Sequence, residues 1–476
     1  MYNESLNLAE RPRVGIIGGG VAGSTIAMQL SQRADLEVIL LEQGSSLVNG
    51  PPICHLHAGG NLYREIDEQQ CVQLLQESVD TLKLFPHCAN VRPTVIAVPQ
   101  RDPGSADELL PRLVMLQQCY QQLVDQDPAN QVLGKPADYF RLYSEATMRQ
   151  LAQLPLPTAP SSPDEWMIPL AKQLDFDTVK WPLVLVQEYG LSLFRLAASA
   201  ELMLANRHNC QVLLNAAVQQ VKPCGRGWRI SLENHSVQVD YLINACGYRS
   251  GVLDDQLDVA SPRLVEFKAA YVTQWSQPGI WPEVIFHGER GTPNGMAQLT
   301  PYADGLFQLH GMTDDITLFK DGLAASTQDS AQPLLPLPLR QKLNKGWPAE
   351  VVHRRTRNAV AHLAYFLPQF ASAQGTAKPL YGAQQIPGDD VTLRAANVAF
   401  AKGNYARAEI VKASSAIPAA REIELQLQRC GLLAHDSEEA SPAEASVPYQ
   451  QVLQRAEAIA SERNYPVALA RRVEPK

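Results

Sequence analysis

The sequence predicts an α/β fold in which a parallel-sheet domain is interleaved with a smaller domain built on a mixed, largely antiparallel sheet. A strand, a glycine-rich turn, a helix and a second strand follow one another over residues 13–42, as in a βαβ unit. Short strands separated by turn residues dominate residues 210–310. A further buried strand, YLINACG at 241–247, lies far from the first unit. The parallel-sheet domain is therefore expected to be discontinuous in sequence.

The bulk composition is that of an ordinary globular protein. The chain has 476 residues, of which 45% are hydrophobic and 19% charged, so one large two-part domain or a few smaller ones are expected. Its formal net charge is −8, and no block of lysine and arginine occurs. Nucleic-acid binding needs a clustered basic surface, so this class of partner is not expected.

The amino-terminal segment, MYNESLNLAERPR, is polar and lacks the apolar core of a secretory signal. No apolar run is long enough to predict a transmembrane helix. These features favour a cytoplasmic location. Contact with a membrane surface is left open.

The cysteines and histidines do not form a recognisable metal or disulfide pattern. There are eight cysteines and no C-x-x-C pair, which is typical of reduced, mostly buried thiols. Only His55 and His57 lie close together among the histidines. Two ligands without a third make a poor zinc site, so no metal is predicted.

The segment VGIIGGGVAGSTIAMQL contains a G-x-G-x-x-G pattern at Gly18, Gly20 and Gly23. Gly18 allows a tight turn out of the strand, Gly20 leaves room for a pyrophosphate, and Gly23 lets the helix pack on the strand. Val21 and Ala22 open that helix. Its unpaired N–H groups and positive dipole end are suited to phosphates.

An acidic residue, Glu42, ends the second strand about 20 residues after the last glycine, where a Rossmann-type unit holds the adenosine ribose. It favours an unphosphorylated ribose, as in FAD or NAD. Gln43, the next residue, is included in the predicted cofactor site.

Hydrophobic periodicity and turn residues predict the remaining elements. The predicted helices cover 65–84, 106–126, 143–153, 191–209 and 405–429. The predicted strands cover 91–99, 264–274, 283–287, 296–300, 305–310 and 396–402. Residues 154–164 and 331–340 are expected to be loops, and the acidic stretch 436–448 a linker before a short helix near 449–463. Residues after about 436 are expected to be dispensable for folding.

Several segments, taken in order from residue 13 to about 425, resemble the D-amino acid oxidase superfamily of FAD-dependent oxidoreductases. This superfamily includes glycine oxidase, sarcosine oxidase, L-2-hydroxyglutarate dehydrogenase and malate:quinone oxidoreductase. The segments after the βαβ unit that carry the resemblance are HLHAGGNLY (55–63), NAAVQQV (215–221), VDYLINACGYRSG (239–251), LVEFKAAYV (264–272), AQLTPYADGLFQLHG (297–311) and KGNYARAEIVKASSA (402–416). The resemblance implies that the cofactor is FAD, bound by a Rossmann-type domain interleaved with a substrate domain.

The resemblance also implies further cofactor-binding residues. Gly59 belongs to the loop that runs along the pyrophosphate and flavin, Val218 offers its backbone to adenine, and Ala245 and Gly247 pass under the FAD. The last segment is expected to form a turn and helix that cap the isoalloxazine, through Gly403, Asn404, Tyr405, Ala406 and Arg407. One departure concerns GAQQIPGDD (382–390), which lacks the arginine that the amino acid oxidases carry there. The substrate is therefore left open.

The resemblance divides the chain into interleaved domains. Residues 1–90, 185–260 and 375–430 are expected to form the FAD-binding domain. Residues 91–184 and 261–374 are expected to form the substrate domain, and 431–476 a linker and tail helix.

Three side chains are candidates for catalysis. Lys268 is either an exposed edge lysine or a cation near the flavin or the substrate carboxylate. Arg407 is either a solvated helix residue or the cation that stabilises charge on the reduced flavin, in which case Arg407→Met would lower the reduction potential. His57 is either a core histidine or a general base or flavin tether.

The predicted function is hydride transfer from a small amino acid or 2-hydroxy acid to flavin N5, with reoxidation by oxygen or a quinone. The alternatives are a flavin monooxygenase or halogenase-like enzyme, and a non-enzymatic FAD-binding protein. The expected partners are a small-molecule substrate and oxygen or a quinone as electron acceptor, with no nucleic acid, and the oligomeric state is left open.

Overall fold

The computed structural model describes residues 11–53, 66–259, 261–394, 397–401, 403–434 and 447–473. The strands, in chain order, are β1 (Arg13–Ile17), β2 (Glu37–Leu41), β3 (Ala89–Asn90), β4 (Thr94–Pro99), β5 (Phe140–Tyr143), β6 (Val179–Val186), β7 (Gly190–Leu191), β8 (Cys210–Leu213), β9 (Gln220–Cys224), β10 (Gly227–Ser231), β11 (Ser236–Val239), β12 (Tyr241–Asn244), β13 (Arg263–Gln274), β14 (Glu283–Phe286), β15 (Ala297–Pro301), β16 (Leu306–Gly311), β17 (Leu323–Ala325), β18 (Gln374–Gly375), β19 (Leu380–Pro387), β20 (Asn397–Ala401) and β21 (Tyr405–Glu409).

The α-helices, in chain order, are α1 (Val21–Leu30), α2 (Glu68–Leu84), α3 (Leu110–Gln126), α4 (Glu145–Leu151), α5 (Pro163–Gln173), α6 (Leu193–Ala205), α7 (Ser250–Gln256), α8 (Leu337–Lys345), α9 (Ala349–Ala364), α10 (Ala416–Arg429) and α11 (Tyr449–Glu462). Side-chain caps begin several of them. Asp67, for example, accepts a hydrogen bond from the backbone of Gln70 at the start of α2, which satisfies one of the helix's unpaired N–H groups.

A six-stranded sheet with the order β20-β21-β12-β1-β2-β8 forms the first half of the fold. All its pairs are parallel except β20–β21, which is an antiparallel hairpin. Both faces are covered, as a parallel sheet requires. Ile16 and Leu40 pack under the helices on one face, whereas Ile17 and Leu41 pack against the small sheet β9–β11 on the other.

A ten-stranded sheet forms the second half, with β13 pairing with β16, β17, β18 and β19. Its pairs are antiparallel apart from β4–β14. One face packs on a second apolar core that includes Ala269 and Tyr271. The alternate residues Lys268 and Ala270 therefore belong to the opposite face, since side chains alternate along a strand. These two sheets confirm the predicted α/β fold with a mixed, largely antiparallel second sheet.

One predicted helix begins later than expected. Residues 405–409 are a strand, not the start of a helix, and the helix begins only at Ala416. Gly403 and Asn404 have φ angles of +83° and +58°, a backbone that reverses the chain between β20 and β21 instead of starting a helix. The strand at 380–387 pairs along β13, so it lies in the large sheet, and the division of the chain into domains stays a prediction.

The carboxyl-terminal helix is part of the core, contrary to the prediction that residues after about 436 are dispensable. Val452, Ala456, Ile459 and Ala460 of α11 are each 0% exposed, and the helix packs against α6. Arg463 donates hydrogen bonds to the backbone oxygens of residues 47 and 48, at 2.6 and 2.8 Å. The preceding stretch, 436–448, contains few large apolar residues. The sequence analysis therefore treated the whole carboxyl-terminal segment as dispensable and overlooked the apolar face of α11.

We expect Ile459→Ala to lower the free energy of unfolding by about 2–5 kcal/mol, because it leaves a cavity between α11 and α6. Urea denaturation of the purified chain measures this. The exposed Gln454 on the same helix gives the control, since Gln454→Ala should change the free energy by no more than about 0.5 kcal/mol. Equal stability of the two variants would mean that the helix is dispensable after all.

Candidate functional site

A cavity of about 910 Å³ lies where the two sheets meet. Gly20, Val21 and Ala22 line it at the start of α1, and Ala245 and Gly247 line it just after β12. The ten-stranded sheet contributes the face that does not pack on the second apolar core. Its lining residues include Lys268, Ile285, Gln298 and His310. The cavity therefore joins the carboxyl edge of a parallel sheet to the face of a second sheet. Ligands of open α/β sheets bind at this edge.

The glycine-rich turn has the geometry that the sequence predicts. Gly18 has a φ of +104°, and a Cβ there would lie 2.4 Å from the carbonyl oxygen of Ala245. A Cβ at Gly23 would lie 1.8 Å from the carbonyl oxygen of Gly18. Around Gly20, by contrast, no atom lies within 4 Å of an added Cβ. The outer glycines thus allow close packing, while the middle one borders open space at the helix start.

The carboxylate of Glu42 lies beside this turn. It accepts hydrogen bonds from the backbone N–H groups of Gly19, at 2.8 Å, and Gly44, at 2.7 Å. Glu42 is only 8% exposed. Gln43, the next residue, accepts a hydrogen bond from Arg249, at 3.2 Å. Val218 lies between β8 and β9 and is half-buried against the apolar core of the small sheet β9–β11.

The structure does not bring Gly403, Asn404 and Tyr405 to the cavity. β21 runs parallel to β12, with Tyr405 opposite Leu242, so the preceding turn lies at the amino ends of these strands. There the side-chain amide of Asn404 donates to the carbonyl oxygen of Asp240, at 3.1 Å. Ala245 and Gly247 line the cavity at the other end.

The first residues of β21, Tyr405 and Ala406, are buried away from the cavity. Ala406 is 0% exposed in the core beneath the helices. The Tyr405 hydroxyl donates to Asp254, at 2.6 Å, and accepts from the Asn244 amide, at 2.8 Å. The expectation that 403–407 caps the flavin is therefore corrected. The hairpin turn at Gly403 and Asn404 lies at the opposite end of β21 from Ala408, which lines the cavity.

Arg407 belongs to a buried charge network and is not a solvated or cavity-lining helix residue. Its guanidinium pairs with Asp254 and Glu409, both at 2.9 Å, and donates to the Ser261 hydroxyl, at 2.6 Å. Arg263 of β13 pairs with the same two carboxylates. Burial lowers the pKa of Arg407, but Glu409 and Asp254 more than offset this effect and raise it above the usual value.

The end of β21 and the segment that follows it reach the cavity. Ala408, Ile410, Val411, Lys412 and Ala413 line it, just before α10. The sequence analysis missed this segment because it assigned a helix from 405 onward. The alternation of the strand YARAE, with apolar and charged residues in turn, was the available signal.

Lys268 lines the cavity, so its reading as an exposed edge lysine is not supported. Its ammonium group pairs with Glu266, at 2.8 Å, and approaches the Gln384 side-chain oxygen, at 3.3 Å. Arg290 pairs with the other oxygen of the same Glu266 carboxylate. Glu266, Arg290, Gln298 and His310 were not identified from the sequence, since each occurs singly in a strand or loop without a motif.

Two predicted residues, His57 and Gly59, lie outside the described residues. Within the described part of the chain, no group of three or more potential metal ligands occurs. The seven cysteines found there are all free. No described helix has both the length and the apolar content needed to cross a bilayer.

No protein-family model matches the chain, and no curated protein matches it significantly. Solved structures do match. Glycine oxidase from Geobacillus kaustophilus shares 11% identity at a TM-score of 0.55, over 92% of this chain and 100% of its own. L-proline dehydrogenase from P. horikoshii shares 14% identity at a TM-score of 0.56, over 91% and 97%.

A third match is glycerol-3-phosphate dehydrogenase from Bacillus halodurans, described as complexed with FAD. It shares 13% identity at a TM-score of 0.53, over 96% of this chain and 74% of its own. At these identities the likeness concerns the fold. The sequence resemblance, which included glycine oxidase, is thus confirmed at the level of the fold, and the chain has the fold of these oxidases and dehydrogenases.

We expect Gly20→Val to abolish most cofactor binding while leaving the apoprotein folded. The added side chain has room in the protein itself but occupies the space at the helix start that a pyrophosphate would need. Flavin absorbance per chain and thermal unfolding of the apoprotein measure the two effects.

Gly23→Ala is the contrasting variant, because its Cβ would overlap the backbone of Gly18 and should destabilise the fold itself. Full flavin content in Gly20→Val would show that the turn does not hold the cofactor.

We expect Arg407→Met to lower the free energy of unfolding by about 3–5 kcal/mol, because it leaves the buried Asp254 and Glu409 with one cation fewer. Urea denaturation measures this, with Arg229→Met as the control at an exposed arginine of β10. Normal stability combined with a lowered flavin reduction potential would support the role predicted from the sequence instead.

Proposed function

We propose that the chain is an FAD-dependent oxidoreductase that oxidises a small amino acid or 2-hydroxy acid. Oxygen or a quinone would then reoxidise the flavin. The observation that carries the proposal is the continuity of one cavity, which extends from the glycine-rich turn at the start of α1 to the polar face of the ten-stranded sheet. A dinucleotide bound at the turn would therefore lie next to a space for a second, smaller molecule.

The residues at the turn fit FAD. The helix start at Gly20 is open, and the first turn of α1 contains no acidic residue that would repel a pyrophosphate. The first N–H groups of a helix have no partner within the helix, so they can donate to phosphate oxygens. Glu42 lies beside the turn, where it can exchange a backbone hydrogen bond for one from the ribose. Val21, Ala22, Ala245 and Gly247 complete the wall.

FAD supplies the chemistry of hydride acceptance at flavin N5 when it is bound. The chain's own residues would bind and orient the substrate. Lys268 is held by Glu266 on the cavity face of β13, where its positive charge attracts a carboxylate. Because the cavity lies between two sheets, the effective dielectric constant is lower than in bulk water, which strengthens such an attraction. The names of the structural relatives, glycine oxidase and L-proline dehydrogenase, agree with substrates of this size.

The purified chain should contain about one FAD and should lose its yellow colour, without oxygen, when the right substrate is added. A screen of amino acids and 2-hydroxy acids, followed by flavin absorbance under anaerobic conditions, measures both. Readmission of oxygen or addition of a soluble quinone then identifies the acceptor. Oxidation of NADPH without added substrate would indicate a monooxygenase. Flavin that no small acid reduces would support a non-enzymatic FAD-binding protein.

We expect Lys268→Met to raise the KM for the substrate found in this screen by about tenfold or more, since it removes one charged contact worth roughly 1.5–3 kcal/mol. FAD content should stay normal because the residue lies on the sheet opposite the glycine-rich turn. Lys222→Met, at an exposed position of β9, is the matched control. An unchanged KM would exclude Lys268 from substrate binding.

A further inference from the structure

One side chain near the junction of the two sheets has a polar atom without a partner. Gln385 of β19 lines the cavity and is only 4% exposed. Among the described residues, none donates a hydrogen bond to its side-chain oxygen, which is itself buried. A buried carbonyl oxygen without a hydrogen bond destabilises the folded chain, and such groups are rare in native proteins. The position of this amide therefore calls for an explanation.

The face of β19 that bears Gln385 is apolar. Gln385 lies opposite Val265 of β13, and residues directly opposite each other in antiparallel strands place their side chains on the same face. Val265 is 0% exposed and belongs to an apolar cluster with Phe267, Leu335 and Leu339. These side chains have no donor to offer the amide oxygen. The remaining source of a donor is the cavity that Gln385 lines.

The cavity meets Gln385 at the edge of the ten-stranded sheet. Among the described strands, β19 pairs with β13 alone, so no strand covers its other edge. β19 also packs beside the turn Gly247–Arg249, which follows β12, and Gly247 lines the same cavity. Gln385 therefore lies where the ten-stranded sheet meets the carboxyl edge of the parallel sheet.

Gln385 does not share a face with the proposed substrate contact. Lys268 lies opposite Gly382, three residues before Gln385 along β19. Side chains an odd number of residues apart point to opposite faces of a strand. A substrate carboxylate held by Lys268 would therefore lie on the other face of β19 from the Gln385 amide. The molecule expected beside Gly247 is instead the dinucleotide.

The strand order indicates which half of the dinucleotide this is. Glu42 follows β2, where the adenosine ribose is expected, and the pyrophosphate is expected at the start of α1. β2 and β12 flank β1 on opposite sides. A dinucleotide with its adenosine half at Glu42 would thus extend its other half towards β12, Gly247 and the adjoining β19.

We propose that the side-chain amide of Gln385 hydrogen-bonds the flavin half of bound FAD. The flavin ring has an N–H group and the ribityl chain has hydroxyl groups, which are the donors that the buried amide oxygen needs. The amide NH2 group can donate in turn to an oxygen of the same half. This assignment rests on the proposed function and adds a residue of the ten-stranded sheet to the cofactor site.

The test separates the two halves of the cofactor. Gln385→Met keeps an unbranched side chain of similar length and removes both polar groups of the amide. Titration calorimetry of the FAD-free, full-length chain gives the Kd of FAD and of ADP, which has no flavin half. We expect Gln385→Met to raise the Kd of FAD about tenfold, equivalent to roughly 1.4 kcal/mol, and to leave the Kd of ADP unchanged. Urea denaturation of the same chain should show no loss of stability, because the variant removes a buried oxygen that has no partner.

Gln308→Met is the matched control. Gln308 is 0% exposed on β16, but it accepts from the Tyr302 hydroxyl and is not among the residues that line the cavity. This variant removes a hydrogen bond within the fold, so it should lower the free energy of unfolding and leave both Kd values unchanged.

Three results would overturn this assignment alone. They are an unchanged Kd of FAD in Gln385→Met, an equal loss of affinity for ADP, and a loss of stability like that of the control, which would indicate a structural role. A protein that binds no FAD would overturn the proposed function and this assignment with it.

Discussion

The packing of the glycine-rich turn against the end of β12 is the constraint on which the rest of the site depends. Gly18 lies against the carbonyl oxygen of Ala245, and Gly23 lies against Gly18. These contacts leave no room for a side chain, so they fix the start of α1 at the carboxyl edge of the sheet. The same edge carries Gly247 on one side and Glu42 on the other. The residues that line the cavity at this edge, Gly20, Val21, Ala22, Ala245 and Gly247, are therefore positioned by backbone packing at a single turn.

The second half of the site is positioned by charge. Arg263 on β13 and Arg407 on β21 share the carboxylates of Asp254 and Glu409 in a network that is almost fully buried. It links Arg263, the first residue of the long strand β13, to β21 of the six-stranded sheet. Since β13 also carries Lys268 on the cavity side, this network connects the sheet that bears Lys268 to the sheet that bears the glycine-rich turn. Removal of one cation would leave buried charge uncompensated, which is why such networks act as a unit.

The sequence predicted the half of the site that is built from local motifs. Gly18, Gly20, Gly23 and Glu42 occupy one short βαβ unit, so their spacing alone indicates their arrangement. The part of the cavity wall that the ten-stranded sheet forms has no such motif in the sequence. Lys268, Gln298 and His310 come from different strands and meet only through strand pairing. The segment 403–407 shows how a resemblance can mislead. The resemblance implied a turn that leads into a helix, whereas two positive φ angles reverse the chain into a hairpin, and the cavity is lined by the residues that follow.

The strand order of the six-stranded sheet has a consequence for how the chain is made. β1 lies at the centre, with β2 and β8 on one side and with β12, β21 and β20 on the other. A ribosome releases these strands over a span that reaches from Arg13 to Glu409, and α11 must follow before α6 is covered. The outer edges of β1 and β2 in the first βαβ unit therefore stay unpaired until β8 and β12 have been made, at Asn244, about halfway along the chain. Unpaired strand edges of this kind can pair with other chains, so the first half of synthesis is the period in which the nascent chain is most prone to aggregate.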